Sequence, residues 1–285
     1  MKRRHFLTHT AGALAAGAIL PSSLRAQAAP AAATPSGRLA EFLPAQVPGA
    51  VVKPGEFVFA AAHFDHGHIN GQCSALVAAG GTLKWMYEPD EAKHTAFRRR
   101  YPDVKVARSL DEILADPEVK LVTAAAVASE RGPIGCRVME AGKDYFTDKT
   151  PFTTLAQLEQ ARAVAARTGR KYMVYFSERL HVESAMFATD LVASGAIGRI
   201  VQVVGLGPHR LGKAGRPAWF FEKEKYGGIL CDIGSHQFEQ FLTYAGATDA
   251  TVTSAAVGNF ANPDKPELED FGEATLVGNN GATNM

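Results

Sequence analysis

Two short stretches of the chain hold the residues that are best suited to proton transfer. In the first, residues 142–149, a run typical of a buried strand ends with Lys149 beside an aspartate. In the second, residues 232–236, Asp232 and His236 are four positions apart, which places them on one face of a helix that begins there. Because an amine, a carboxylate and an imidazole can hold and move protons, we expect a site of acid–base chemistry.

The elements that must position Lys149 alternate between strand and helix over residues 50–175. Strands are predicted at 56–62, 83–87, 119–127, around 145 and at 172–176. Helices are predicted at 69–79, 92–100, after a Ser109 cap, at 135–141 and at 155–168. Strands that alternate with helices indicate an α/β domain with a parallel, doubly wound sheet that is covered on both faces.

The pattern changes after residue 175. Over residues 176–285 we predict helices at 182–194 and from about 232, and strands at 200–205, 251–257 and 272–277. Longer strands separated by loops are typical of an α+β domain with a mostly antiparallel, open sheet. This second domain is expected to carry Asp232 and His236.

The first 28 residues are predicted to be a removable signal peptide. Arg3 and Arg4 precede a short, weakly apolar run and a small-x-small sequence at Ala26–Ala28. Adjacent arginines favour twin-arginine export to the periplasm, although an ordinary secretory signal stays open. Residues 29–49, rich in alanine and proline, are predicted to be a flexible lead-in. The apolar run is too short for stable insertion in a membrane.

Composition excludes several classes of protein. The formal net charge of +1 provides no single-sign field, so nucleic acid is not expected as a partner. The three cysteines, Cys73, Cys136 and Cys231, lack metal-like spacing, and an odd, sparse set argues against a disulfide framework. We expect buried thiols.

The order of the motifs resembles the Gfo/Idh/MocA family of NAD(P)-dependent oxidoreductases over roughly residues 56–277. The resemblance lies in the strand ending Asp148-Lys149, in residues 193–200 (ASGAIGRI) and in residues 227–236 (GGILCDIGSH). Where the family has Glu-Lys-Pro, this chain has Asp148, Lys149 and Thr150. The resemblance implies a Rossmann-type dinucleotide-binding domain at 50–175 and a substrate and oligomerisation domain at 176–285, predicted to be partial because family members usually continue further.

The resemblance also implies roles for the three proton-transfer groups. Lys149 and His236 would handle the proton of a substrate hydroxyl, and Asp232 would orient the substrate, a sugar, an inositol-like polyol or a derivative. Oxidation of a secondary alcohol needs such a base while hydride leaves for the nicotinamide. Taken alone, Asp232 is also compatible with a helix N-cap, and His236 with a buried core histidine.

The predicted cofactor loop departs from the usual dinucleotide fingerprint. Aligned on the helix start, its three glycine positions hold His63, Asp65 and His68. The residues predicted to contact NAD or NADP are His63, Phe64, Asp65, His66, His68, Glu88 and Lys149. Glu88 ends the second strand, where a carboxylate binds ribose hydroxyls and favours NAD; an exposed, strand-capping glutamate is the alternative.

Three residues are predicted to contact the sugar or polyol: Tyr175, Arg179 and Trp219. Tyr226 is a further candidate for stacking on a sugar ring. Packing of aromatic rings explains Trp219 equally well, and Arg179 has Glu178 and Glu183 as alternative partners.

Two other functions stay open. A sugar-binding protein of the same fold could have lost affinity for the nucleotide. A metal-dependent hydrolase or lyase could use the His63–His68 cluster, because imidazole and carboxylate suit zinc or another divalent ion. The primary prediction assigns no metal and leaves this cluster to cofactor contacts or to a solvated polar loop.

Overall fold

The computed structural model describes residues 49–285, and all of them belong to one compact unit. The predicted signal peptide and almost all of the predicted lead-in lie outside the described residues. Within the described part, no helix has both the length and the apolar character needed to cross a bilayer.

A six-stranded parallel sheet forms the first half of the described chain, in the order β3-β2-β1-β4-β5-β6. Its strands are β1 Val58–Ala62, β2 Thr82–Tyr87, β3 Lys105–Val106, β4 Val119–Ala124, β5 Asp144–Asp148 and β6 Tyr172–Tyr175. The two central strands are apolar and almost wholly buried, as parallel strands covered on both faces must be. The strand order reverses between β1 and β4, which opens a crevice at the carboxyl edge of the sheet.

Five helices connect these strands: α1 Ile69–Ala78, α2 Glu91–Arg100, α3 Leu110–Ala115, α4 Ala128–Glu140 and α5 Leu155–Thr168. Side chains of Asp90, Ser109 and Thr154 accept backbone N–H groups at the starts of α2, α3 and α5. Apolar side chains of the helices and strands pack into two cores, one on each face of the sheet.

The second half contains a four-stranded sheet in the order β7-β10-β9-β8. Its strands are β7 Gln202–Val203, β8 Ala250–Gly258, β9 Phe271–Gly278 and β10 Thr283–Asn284. The helices are α6 Ser177–Leu180, α7 Glu183–Ala193, α8 Lys223–Tyr226, α9 Ile229–Asp232 and α10 Gly234–Ala245, with 3-10 turns at Lys213–Gly215 and Ala218–Phe221. Only the β7–β10 pair is parallel among these described strands, so the predicted fold class is confirmed. The domain boundary at residue 175 stays a prediction.

Several element bounds differ from the prediction. Helix α4 starts seven residues before the predicted start at 135 and contains Pro133. Proline has no N–H to give to the carbonyl of Ser129, and Gln157 Nε2 donates to that carbonyl instead, at 2.8 Å. The strand predicted at 200–205 is paired only at Gln202–Val203, and the two-residue strands β3 and β10 were too short to leave a pattern.

The cysteines differ in part from the expected buried thiols. All three are free, and Cys73 and Cys136 are buried as expected. Cys231 is only half-buried, because it lies on the short helix α9 at the junction between the two sheets.

Candidate active site

Loops that follow four parallel strands meet at the carboxyl edge of the first sheet. The backbone N–H of Ala125, just after β4, donates to the carbonyl of His63 after β1, at 3.0 Å. The N–H of His66 in turn donates to the carbonyl of Ala125, at 2.9 Å. These bonds fix the β1–α1 loop against the ends of β4 and β5, so its side chains reach the residues that follow β5.

Lys149 and Asp232 meet between the two halves of the molecule. Lys149 follows β5, is 6% exposed, and donates from Nζ to a carboxylate oxygen of Asp232 and to its carbonyl oxygen at 3.3 Å. Asp232 is the last residue of α9, and His236 lies in the first turn of α10. Ile233, which has helical backbone angles, connects the two helices. The structure thus brings Lys149 to the Asp232–His236 helix segment, and Asp232 is not the N-cap of α10.

A buried arginine anchors the strand ends around Lys149. Arg131, from the first half of α4, is 2% exposed. Its guanidinium donates to the carbonyls of Ala126 at 2.7 Å and Thr150 at 3.2 Å, and also to the carbonyl of Lys149. It also lies 3.2 Å from Asp148 Oδ2. One side chain therefore holds the end of β4 and the end of β5 together.

Asp148 lies between this arginine and two histidines. His66 Nδ1 is 2.8 Å from Asp148 Oδ2, and His68 Nδ1 is 2.8 Å from Oδ1. Burial opposes ionisation of Asp148, but the charge of Arg131 and the two imidazoles outweigh it and hold the pKa of the carboxyl well below its usual range. Burial lowers the pKa of His66 despite the neighbouring carboxylate.

His236 is 2% exposed and faces other positive or titratable groups. Burial lowers its pKa to about 4, and the charges of Lys149 and His209 act in the same direction. Its Nε2 is 3.8 Å from Oε1 of Glu178, and the other carboxylate oxygen, Oε2, accepts from Gln237 Nε2 at 3.1 Å. At neutral pH the imidazole is therefore uncharged, with a carboxylate nearby to stabilise its protonated form.

Two buried polar atoms at this position have no hydrogen-bond partner among residues 49–285: Asp232 Oδ2 and His236 Nδ1. A buried acceptor without a partner costs roughly 1–3 kcal/mol, and such atoms are uncommon in folded proteins. Their presence beside Lys149 indicates a place where a hydroxylated ligand would complete the hydrogen bonds.

The cofactor loop keeps the shape of a tight turn without its glycines. His63 has a φ of 54°, the left-handed conformation that glycine usually supplies. Each side chain at a glycine position is held by a neighbour. The His63 ring packs edge-on against Tyr87, Asp65 accepts from Lys93 at 3.0 Å, and His68 binds Asp148. The Lys93 charge compensates Asp65, which the sequence placed near the diphosphate.

Phe64 and Glu88 stabilise this loop from below. Phe64 is buried and packs on Phe97, with ring centroids 4.6 Å apart. Glu88 is 3% exposed, accepts the N–H of Phe64 at 2.5 Å and accepts the N–H of Asp90 at 3.0 Å. The structure thus places Glu88 at the predicted strand end as a buried group, not as the exposed strand cap of the alternative interpretation.

A cleft of about 620 Å³ lies between this loop and the segment that precedes α8. Its lining includes Asp65, His66, Gly67, Arg210, Arg216 and Pro217. A methyl group added at Gly67 would meet no atom within 4 Å, so the backbone there is open to a ligand. The exposed guanidinium of Arg210 and the partly exposed imidazole of His66 suit a diphosphate, and the residues present therefore fit a dinucleotide in this cleft.

The four predicted substrate residues fall into two groups. Tyr175 is 4% exposed, bonds His181 at 2.9 Å and lies edge-on to His68, so it belongs to the crevice wall. Arg179 Nε donates to both carboxylate oxygens of Glu239, at 2.7 and 3.0 Å, so its partner is neither Glu178 nor Glu183, the alternatives from the sequence.

The two aromatic candidates belong to a separate core cluster. Trp219 packs beside Phe220, and its buried Nε1 has no partner among the described residues. Tyr226 is 1% exposed and bonds the backbone of Glu267 and Glu269. The suggestion that Tyr226 stacks on a sugar ring is therefore wrong, because its ring has no free face.

Two site residues had not been assigned a role from the sequence. Arg131 is an arginine in the helix that follows β4, a position from which its long side chain reaches the carboxyl edge of the sheet. Glu178 lies in α6, which follows the carboxyl end of β6, and ligand-binding groups of this fold lie at the carboxyl ends of strands. Their positions on helices that follow parallel strands were the feature of the sequence that could have identified both residues.

Comparison with known proteins follows the same division of the chain. Residues 59–176 match the oxidoreductase family with an NAD-binding Rossmann fold, and residues 186–285 match the GFO/IDH/MocA C-terminal domain. The uncharacterised oxidoreductase YhhX of Escherichia coli is 31% identical over 170 residues, which cover 58% of this chain and 46% of YhhX. D-xylose dehydrogenase of Paenarthrobacter nicotinovorans is 26% identical over 52% of this chain and 39% of its own length.

A crystal structure of a proposed oxidoreductase from Erwinia carotovora atroseptica superposes with a TM-score of 0.78. It is 44% identical, and the match covers 80% of this chain and 68% of that chain. The chain spans about half the length, or less, of the curated relatives named above. With both of its halves matched in order, the chain belongs to the GFO/IDH/MocA family of oxidoreductases.

Proposed function

We propose that this protein oxidises a CH–OH group of a sugar, an inositol-like polyol or a derivative, with NAD(P) as the hydride acceptor. The observation that carries the proposal is the arrangement of Lys149, Asp232 and His236. Lys149 from the first sheet is bound to Asp232, and two buried acceptors of the Asp232–His236 segment have no partner among the described residues. A substrate hydroxyl would supply the missing hydrogen bonds.

The three side chains divide the handling of the proton. His236 is neutral at pH 7 because its pKa is lowered to about 4, so its lone pair can accept the hydroxyl proton. The Glu178 carboxylate, 3.8 Å away, stabilises the imidazolium that results. Lys149 stabilises the developing alkoxide, and Asp232 holds the amine in place while its second oxygen accepts a substrate hydroxyl.

Hydride acceptance is the chemistry that NAD(P) supplies when bound. The residues that would hold the dinucleotide are His66, Gly67 and Arg210 on the diphosphate side of the cleft. The negative charge of Glu88 at the end of β2 disfavours an additional phosphate on the ribose, so we propose NAD rather than NADP.

A sugar or polyol is the substrate class that the polar crevice supports best. A ligand with several hydroxyls can use the donors and acceptors of Lys149, Asp232 and His236 at once. The similarity to a protein named D-xylose dehydrogenase is consistent with this class. A substrate screen will identify the individual sugar and its stereochemistry.

The proposal is tested by following reduction of NAD and NADP with a panel of aldoses, ketoses and inositols. Lys149→Met and His236→Gln are compared with Lys120→Met, a change at an exposed lysine outside the site. We expect the two site variants to lose activity by about 10²–10⁴-fold while Lys120→Met keeps it. Equal activity in all variants that are still folded, as judged by circular dichroism, would refute the assigned roles.

The binding-only alternative has its own signature. A protein of this fold without nucleotide affinity would bind a sugar in calorimetry and show no heat with NAD or NADP. The absence of glycine from the three fingerprint positions of the loop is the observation that supports this alternative. Saturable NAD binding that is weakened by Arg210→Ala would exclude it.

We further propose that the protein is exported after it folds and that it retains its cofactor. The arginines at positions 3 and 4 support the twin-arginine route, which carries folded proteins. Replacing both arginines by lysine should leave the protein in the cytoplasmic fraction. Nucleotide released when the exported protein is denatured would support retention, and protein free of nucleotide would contradict it.

A further inference from the structure

The β1–α1 loop and the end of β5 bring together two imidazoles and one carboxylate. One ring nitrogen of His66, one ring nitrogen of His68 and a carboxylate oxygen of Asp148 all lie within 4.8 Å of one another. His66 and His68 lie in one loop, separated by Gly67, whereas Asp148 is 80 positions from His68 in the sequence. His63 and Asp65, the other members of the loop cluster, contact Tyr87 and Lys93 instead and do not join this group.

We propose that His66, His68 and Asp148 form a binding site for one divalent transition-metal cation, with Zn²⁺ as the best match. Two imidazole nitrogens and one carboxylate oxygen are a borderline donor set that zinc prefers. His66 also lines the cleft proposed for the diphosphate, but binding of the cation can be measured without NAD(P) or a substrate.

The contacts of His66 support a cation rather than a simple hydrogen bond. Its Nδ1 is 2.8 Å from Asp148 Oδ2, yet it is buried and lacks an aligned partner among the described residues. A nitrogen and a carboxylate oxygen at this separation need a proton or a cation between them. His68 Nδ1, in contrast, is aligned with Asp148 Oδ1 at the same 2.8 Å.

The spacing allows a cation after a small adjustment. Zinc lies about 2.0–2.2 Å from nitrogen and oxygen ligands, which separates tetrahedral donor atoms by about 3.3 Å. The two 2.8 Å contacts must therefore lengthen by roughly half an ångström. The His68 ring has room for a shift of this size without movement of the loop, because its side chain is 34% exposed.

The surroundings fix the carboxylate and leave one coordination position free. Arg131 contacts Asp148 Oδ2 at 3.2 Å and so orients the ligand from outside the coordination sphere. Tyr175 packs edge-on against the ring of His68. His66 also lines the 620 Å³ cleft, so the fourth position of a tetrahedral cation would face water or a ligand in that cleft.

The test is metal titration of the full chain, with the purification tag removed and bound metal stripped by chelator. We expect one equivalent of Co²⁺ to bind with the visible spectrum of a tetrahedral site, and Zn²⁺ to displace it. His68→Asn and His66→Asn should each weaken binding by at least about 10-fold. His94→Asn, outside the cluster, should bind as the parent protein does.

Absence of binding by the parent protein, or an affinity in both cluster variants equal to that of the parent protein, would overturn the proposal. Circular dichroism of each variant shows whether the fold is kept, and the second histidine variant preserves the test if the first one unfolds. Because no nucleotide or sugar enters the titration, its failure is separate from a failure of the proposed oxidation.

Discussion

Replacement of Arg131 by leucine should destabilise the protein strongly, since one guanidinium serves four acceptors. Arg131 is 2% exposed and contacts Asp148, which is fully buried at 0% exposure. Removing one partner of a buried ion pair costs about 3–5 kcal/mol, and the buried Asp148 carboxylate would keep only its contacts with His66 and His68. The carbonyls of Ala126, Lys149 and Thr150 lose a donor as well, so the upper part of that range applies.

The matched control is Arg137→Leu on the same helix, α4. Arg137 pairs with Asp111, but their side chains are 54% and 76% exposed, and exposed pairs contribute less than about 1 kcal/mol. Urea unfolding followed by circular dichroism gives the free energy of unfolding for both variants. For a domain of this size, a loss of 3–5 kcal/mol lowers the melting temperature by roughly 6–20 °C.

Two further variants separate charge from packing. Arg131→Lys keeps the charge but cannot reach all four acceptors, so we expect a loss between those of the leucine variants. Adding Asp148→Asn to Arg131→Leu removes the buried carboxylate that has lost its arginine partner, and it should recover part of the free energy of unfolding. Equal losses below about 1 kcal/mol for Arg131→Leu and Arg137→Leu would refute the anchoring role.

Three other predictions address packing, protonation and the cofactor loop. Gly135→Ala should destabilise by about 1–3 kcal/mol in urea unfolding, because its Cβ would lie 2.4 Å and 2.6 Å from two tyrosine rings. Gly67→Ala, with open space around it, should stay within about 0.5 kcal/mol; the reverse ranking would contradict the packing. In a pH profile, kcat/KM should fall as the pH drops through about 4, because His236 becomes protonated there and loses its lone pair. A fall centred on pH 6.5, the ordinary pKa of histidine, would show that burial does not lower the pKa of His236. Lys93→Met should weaken NAD binding about 10-fold in calorimetry, because the Asp65 carboxylate would lose its ion-pair partner and repel the diphosphate. Adding Asp65→Asn should restore NAD binding. Unchanged binding in Lys93→Met would show that Asp65 does not lie near the diphosphate.

Local patterns were sufficient for the alternating half of the fold. Helix α5 has the predicted bounds of 155–168, because a threonine cap, a long apolar period and a left-handed Gly169 all lie within one segment. The same local reasoning placed Lys149 at a strand end. Asp232 and His236 were predicted on one face of a single helix that begins there, whereas the structure has Asp232 at the end of α9 and His236 in the first turn of α10. Their roles in catalysis stay predictions.

Contacts between distant residues could not be derived from such patterns. The sequence offered Glu178 and Glu183 as partners for Arg179, yet α10 presents Glu239, 60 positions away. Likewise, nothing local indicates that Thr283–Asn284 lies between β7 and β9, because a two-residue strand has no period. These partners depend on how the elements pack.

The ion pair of Lys149 and Asp232 restricts how the two halves can move. Lys149 extends from the first sheet and Asp232 from the segment after the second half begins, and both are buried. A hinge motion that separated the halves at this point would have to break this ion pair and expose both charged groups to water. The cleft between the 65–67 loop and the 210–217 segment is open in this arrangement, so a ligand could reach it without breaking this ion pair.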